Sequence, residues 1–96
     1  MNDVYRALSD PTRRKILELL KVREKSAGEL ADHFDMSKPA MSKHFTVLKS
    51  ADLVYSRREG NQIYYGLNLS VLQEALMGLM QAFDLGKSGS KDSENS

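Results

Sequence analysis

Between Ser37 and Gly60 the chain gathers five cations, Lys38, Lys43, Lys49, Arg57 and Arg58, against two acids, Asp52 and Glu59. That local excess of three positive charges stands in a chain whose formal total is only +1. Its first part, Ser37-Lys38-Pro39-Ala40-Met41-Ser42-Lys43-His44, interleaves cations with short side chains. Short residues let a backbone approach a polyanion closely, and Lys and Ser can then reach phosphate oxygens and base edges. Ser37, Lys38, Ala40, Ser42 and Lys43 are therefore candidate contacts to double-stranded DNA. Arg57 and Arg58, beside Gly60, carry planar guanidinium groups suited to phosphate or to a narrow minor groove. Two adjacent arginines alone would read as a solvated hairpin end, and only their place behind the cationic stretch favours DNA. His44 reads equally well as a DNA contact or as a side chain packed near Phe45 and Leu48.

Other chemistries find no residues. The chain has no cysteine, which excludes disulfides, thiolate metal sites and thiol redox sensing. His33 lies near Asp32 and Asp35, yet one imidazole and two helix-flanking acids do not make a ligand set, so a surface or packing role is expected. Met36, Met41, Met77 and Met80 read as core filler, not as a soft-metal site. There is no phosphate-cradling glycine loop, no nucleophile elbow and no pair of acids or histidines at a catalytic spacing. Neither an enzyme nor a cofactor is expected.

The cationic stretch needs elements to position it. Asp10-Pro11 reads as a helix start, followed by a helix to about Lys21 with Ile16, Leu17 and Leu20 inward. Val4, Tyr5 and Leu8 make a short apolar stripe on a preceding helix. Ser26 and Glu29 fit a capping box opening a third helix that buries Leu30, Ala31 and Phe34. A short turn at Asp35-Met36 leads to a second cap, Ser37, and a fourth helix with Met41, Phe45 and Leu48 inward. After Leu53 the period falls to two, and Glu59-Gly60-Asn61 divides a β-hairpin. A final helix from Val71 carries Val71, Leu72, Ala75, Leu76, Leu79, Met80 and Phe83 in one stripe. With 96 residues, 41% of them apolar and 28% charged, the chain is long enough for one core. Residues 1–85 form the expected domain. Residues 86–96, all small, polar or charged, read as a disordered tail.

This order of elements predicts a mainly α, winged helix-turn-helix fold of five helices with a small β-hairpin wing, whose second capped helix enters the major groove. Ser9-Asp10-Pro11-Thr12-Arg13-Arg14-Lys15-Ile16-Leu17, then Ser37 to Phe45 with Leu48, then Arg58-Glu59-Gly60 and Tyr65-Gly66-Leu67 resemble the signature of ArsR-type repressors. The resemblance runs from about residue 3 to residue 84 and is strongest to the SdpR-like subgroup, which lacks metal-ligand cysteines. It implies a homodimer on an inverted-repeat operator, with base or phosphate contact by Lys38, Ala40, Ser42 and Lys43 and wing contact by Arg57 and Arg58. It also implies that the first and last helices pack across the two-fold axis. The cysteines of metal- or persulfide-sensing members are missing, and the last helix has no histidine. Release from DNA, if regulated, must therefore use another ligand, a protein partner or the level of the protein itself.

The last helix makes sense as a dimer seam, because so small a domain has little core left to cover seven apolar positions. Val4, Tyr5, Leu8, Leu72, Leu76, Leu79, Met80 and Phe83 are the expected seam residues. A two-fold dimer sets its recognition helices roughly 34 Å apart, one DNA turn. Two rival readings are a winged-helix protein-interaction module, which predicts an acidic or apolar recognition face, and a sensor repressor gated by a ligand or metal between the last helices. The start, MNDVYRALSD, lacks a basic n-region and an apolar run, and no stretch could span a membrane. A cytoplasmic protein is expected.

Overall fold

Three side-chain caps and two prolines set where helices of this chain begin. Asp10 accepts a hydrogen bond from the Arg13 amide, and Pro11 opens α2 (Pro11–Leu20), with Lys21 closing it. Ser26 and Glu29 form the reciprocal capping box at the head of α3 (Ala27–Ala31). Ser37 accepts from the Ala40 amide, with a proline in the first turn of α4 (Lys38–Ser50). Each cap satisfies amides that the first helical turn leaves without acceptors, worth roughly 1 kcal/mol apiece. The computed structural model of the chain describes residues 2–84; the tail expected at 86–96 lies outside them.

The described residues hold five α-helices and a three-stranded antiparallel sheet. The outermost helices are α1 (Asn2–Leu8) and α5 (Leu69–Ala82). The hairpin pairs β2 (Val54–Glu59) with β3 (Gln62–Leu67), Arg57 facing Tyr64 and Arg58 facing Ile63. Gly60 sits at φ +61° and Asn61 does not share that sign, the pattern of a II′ turn that matches strand twist. A third strand, β1 (Lys25–Ser26), pairs with Tyr64 and Tyr65 on the free edge of β3. It was not legible in the sequence, since two residues carry no period and Ser26 already reads as a cap.

The other departures also have local causes. The third helix ends at Ala31, because His33 and Phe34 turn their amides back to Leu30 and Ala31 in tighter i to i+3 bonds. The connection to α4 is therefore residues 32–37, longer than the short turn expected at Asp35-Met36, and Phe34 is half-buried after the helix instead of within it. The last helix begins at Leu69, two residues before the expected Val71. Asn68 makes no side-chain cap there; its amide group donates to the Asp52 carbonyl and its backbone N–H to the Leu53 carbonyl. The end of β3 thus starts α5, a tertiary signal that no capping residue announces.

Ile16, Leu17, Leu20, Leu30, Met41, Phe45, Leu48, Leu53 and Val54 form the core, with Val4, Leu8, Val71 and Leu72 half-buried against it. Gly66 is needed in β3 because a Cβ there would fall inside the Tyr55 ring, which lies across it. Gly66→Ala should displace that ring and destabilise the domain by about 1–2 kcal/mol in denaturant unfolding. The same substitution in a Tyr55→Ala background should cost much less, a coupling that a double-mutant cycle measures directly.

Candidate nucleic-acid interface

Helix α4 is anchored along one side and bare along the other. Met41, Phe45 and Leu48 are buried, while Ser37, Lys38, Pro39, Ser42, Lys43, Thr46 and Lys49 are exposed and Ala40 is half-buried. The short and cationic residues singled out in the sequence therefore share the outward face, joined by Thr46, which sequence reasoning passed over. Two contacts fix how that face is presented. Phe45 stacks on Tyr65 of β3, ring centroids 4.6 Å apart, and so ties the wing to the helix. On the opposite flank, the half-buried His44 places Nδ1 3.2 Å from Nη1 of Arg13.

Arg13 is the hub of that second contact. Its Nε donates to the Ala7 carbonyl at 2.9 Å and its Nη2 to the Arg6 carbonyl at 3.0 Å. One guanidinium thus closes the end of α1, belongs to α2 and reaches α4. Because arginine only donates, His44 Nδ1 accepts, and its ring proton sits on Nε2. Asp10 Oδ2 lies 3.9 Å from the same Nδ1. Burial raises the Asp10 pKa, but the Arg13 amide, the His44 ring when protonated, the Arg13 charge and the Thr12 amide bring it below its ordinary value.

In the wing, strand alternation separates the two arginines. Arg57 shares a face with Tyr55, Glu59 and Tyr64, whereas Arg58 shares the α4 side with Val54 and Tyr65. Arg57 is paired twice: Nε meets Glu24 at 2.9 Å, Nη1 meets Glu59, and the guanidinium lies 4.7 Å from the Tyr64 ring centroid. Tyr55 donates its hydroxyl to the other oxygen of Glu24. The Tyr55 hydrogen bond, then Arg57, hold the Glu24 carboxyl below the usual range. Arg58 makes only a long 3.4 Å bond to the Gly60 carbonyl. Sequence reasoning could not separate these two roles, because Glu24 lies 33 residues from Arg57.

The expected seam residues divide into two sets. Val4, Leu8 and Leu72 pack half-buried on the chain's own core, and Tyr5 donates to the Ala75 carbonyl at 3.4 Å. Leu76, Leu79, Met80 and Phe83 stand exposed along α5, joined by Leu69 and Met77, with Phe83 67% exposed. Among the described residues no group of three His, Asp or Glu side chains converges as a metal site, and no helix is long and apolar enough to cross a membrane.

A capped helix with a cationic outward face, a preceding short helix and a hairpin wing beside it is the architecture of winged helix-turn-helix regulators, and sequence comparison identifies which kind. The profile described as bacterial regulatory protein, arsR family, matches residues 10–56. The chain is 46% identical over 86 residues to the transcriptional repressor SdpR of Bacillus subtilis (strain 168), covering 90% of this chain and 96% of that one. The chain belongs to the ArsR family. This ArsR-family chain is also 35% identical over 79 residues to the arsenical resistance operon repressor of Staphylococcus aureus, covering 82% and 76% of the two chains. The crystal structure of an ArsR family transcriptional regulator superposes with a TM-score of 0.81 at 28% identity, over 91% of this chain and 96% of that one. The ArsR-family fold expected from the sequence is the one observed, and the protein is a DNA-binding transcription repressor of the ArsR type, not an enzyme.

The loop before α3 bears on stability. Glu29 accepts from the Ser26 amide at 2.9 Å and pairs with Arg23 at 2.9 Å. The Arg23 hydrogen bond, then the Ser26 amide, lower its pKa from 4.5 to about 2. A lowered folded-state pKa means stability that is fully present above the unfolded value and lost as pH falls toward the folded one. Unfolding free energy should therefore decline between about pH 4.5 and pH 2. Glu29→Gln, which keeps an acceptor for the cap, should be less stable than wild type at neutral pH, and the gap should close across that window in denaturant titrations.

Proposed function

We propose that the protein represses transcription in the cytoplasm as a homodimer bound to an inverted-repeat operator, without a metal cofactor. The observation that carries this reading is the outward face of α4, where Ser37, Lys38, Ser42 and Lys43 are all exposed on a helix whose other face is buried. In this reading Ser37, Lys38, Ala40, Ser42 and Lys43 enter the major groove. His44 contributes its Nε2–H, since Nδ1 already accepts from Arg13. Arg58 supplies the wing's direct contact, and Arg57 reaches phosphate by exchanging Glu24 or Glu59 for it. The cationic face argues against a protein-interaction module.

The dimer follows from α5. Five large apolar side chains between Leu76 and Phe83 are exposed on one short helix, beside the half-buried Val4, Tyr5 and Leu8. A second copy related by a two-fold axis covers both helices at once and sets the two α4 helices roughly 34 Å apart, one turn of DNA. An effector or partner protein that loosened this seam would release DNA.

The experiment is a gel shift on the promoter upstream of the chain's own gene, with and without zinc. Wild type should prefer that duplex over random sequence, zinc should leave it bound, and lack of preference for any duplex would refute the reading. Lys43→Ala should weaken specific binding by about 1 kcal/mol or more, and Arg58→Ala should weaken binding to all sequences with a shallower salt dependence. Light scattering should give twice the chain mass for wild type and about the single-chain mass for Leu76→Glu; a variant that stays dimeric and binds normally removes the seam.

A further inference from the structure

The bare cations extend beyond α4 onto α1. The two helices run side by side in opposite directions, with Asp3 and Val4 beside Ser50 and Ala51, and Arg6 beside Thr46 and Val47. Between them an open cleft of about 550 Å³ is lined by Arg6, Arg13, Ser42, Lys43, His44 and Thr46, among others, with no carboxylate in its wall. Arg13 holds the floor, bonded to two α1 carbonyls and to His44.

Several cations elsewhere on the surface carry carboxylate partners. Lys15 is paired with Glu18, Arg23 with Glu29, and Arg57 with Glu24 and Glu59. The side chains of Arg6 and Lys43 form no hydrogen bond or ion pair among the described residues. Two acids stand close by without entering the wall: Asp10 accepts the Arg13 amide and lies 3.9 Å from His44 Nδ1, and Asp3 shares the adjoining depression with Arg6 without an ion pair to it. Two unpaired cations, Arg6 and Lys43, thus line one concavity together with Ser42, Thr46 and His44. That set of residues, with no carboxylate in the cleft's own wall, suits a phosphate group.

Its position says where such a phosphate comes from. Ala40, Lys43, His44 and Val47 face α1, while Phe45 turns toward the wing. A helix about 10–12 Å across fills a major groove about 12 Å wide, so the two DNA backbones pass along its flanks. Arg58 stands on the wing flank and Arg6 on the other. We propose that the α1–α4 cleft receives a backbone phosphate of the bound duplex, with Arg6 as its principal ligand. This rests on the DNA reading above and adds α1 to the interface.

Fluorescence anisotropy with the own-promoter duplex and a random duplex, over a range of salt, tests it. Arg6→Gln should weaken both roughly 10- to 30-fold at about 0.15 M salt and flatten the log–log salt slope by about 2 per dimer, one phosphate per protomer. Arg6→Lys, which keeps the charge, should retain the slope, and Lys21→Gln, on an exposed part of α2's end, should leave it unchanged. Because the Arg6 side chain is exposed and unbonded, melting curves of the variants should match wild type. If wild type binds DNA and Arg6→Gln binds it with the same slope, this proposal falls alone; if wild type binds no duplex, the DNA reading falls and takes it along. Saturable thermal stabilisation of wild type by inorganic phosphate at constant ionic strength, lost in Arg6→Gln, would make free phosphate the occupant and overturn the DNA assignment.

Discussion

Burial of Met41, Phe45 and Leu48 beneath α4 is the constraint on which the presentation of everything else depends. Each such side chain contributes about 1.5–3 kcal/mol when removed from water, far more than any exposed ion pair on this molecule. With that seam inward, the helix has no freedom to roll, and Ser37, Lys38, Ser42 and Lys43 must point away from the core. The stack of Phe45 on Tyr65 extends the same constraint to the hairpin, and Arg13 extends it to α1. A single apolar seam therefore orients the helix, its wing and its flanking helix together.

The electrostatics are organised on top of that frame by pairing, not by total charge. A chain of net +1 gives no hint of a polyanion partner until the cations are sorted into those with carboxylates and those without. Two of the paired ones, Arg23 and Arg57, cluster where β1, the capping box and the outer face of the wing meet. There they fasten the short third strand and the loop before α3, so they act mainly on local structure. Arg6, Lys38, Lys43 and Lys49, which have no carboxylate partner among the described residues, lie on and beside α4, while Lys21 and Lys25 are unpaired elsewhere. The side chains of Arg6 and Lys43 have no internal partner among the described residues, whereas the Arg57 guanidinium is shared with Glu24 and Glu59.

Much of this arrangement was legible in the sequence, because caps and periodicity are local. Asp10, Ser26 with Glu29, and Ser37 each start a helix at the residue their chemistry indicates, and the alternation after Leu53 with Gly60 at the turn defines the hairpin. What was not legible depends on contacts between distant segments. The strand at Lys25–Ser26 exists only because β3 offers it an edge, and α5 begins where Asn68 is held by the residues before β2. The distinction between Arg57 and Arg58 required knowing which face of the strand meets Glu24. Arg6 carried no signal at all, since its importance lies in being beside α4 without a partner, a property of packing and not of pattern.

The apolar face of α5 is the remaining feature that the core of one chain does not use. The helix contributes only Ala75 to full burial, while Val71 and Leu72 are half-covered by the core at one end and Leu76, Met77, Leu79, Met80 and Phe83 continue outward. A helix whose first turns are fastened to its own domain and whose later turns are bare can be covered by a copy of itself without unpacking anything. α1 lies against both α5 and α4, through Tyr5 on one side and the Arg13 clasp on the other, so it is packed against the helix that carries this face and against the flank of α4. The seven residues of α1 thus join the bare helix to the flank of α4 within one chain.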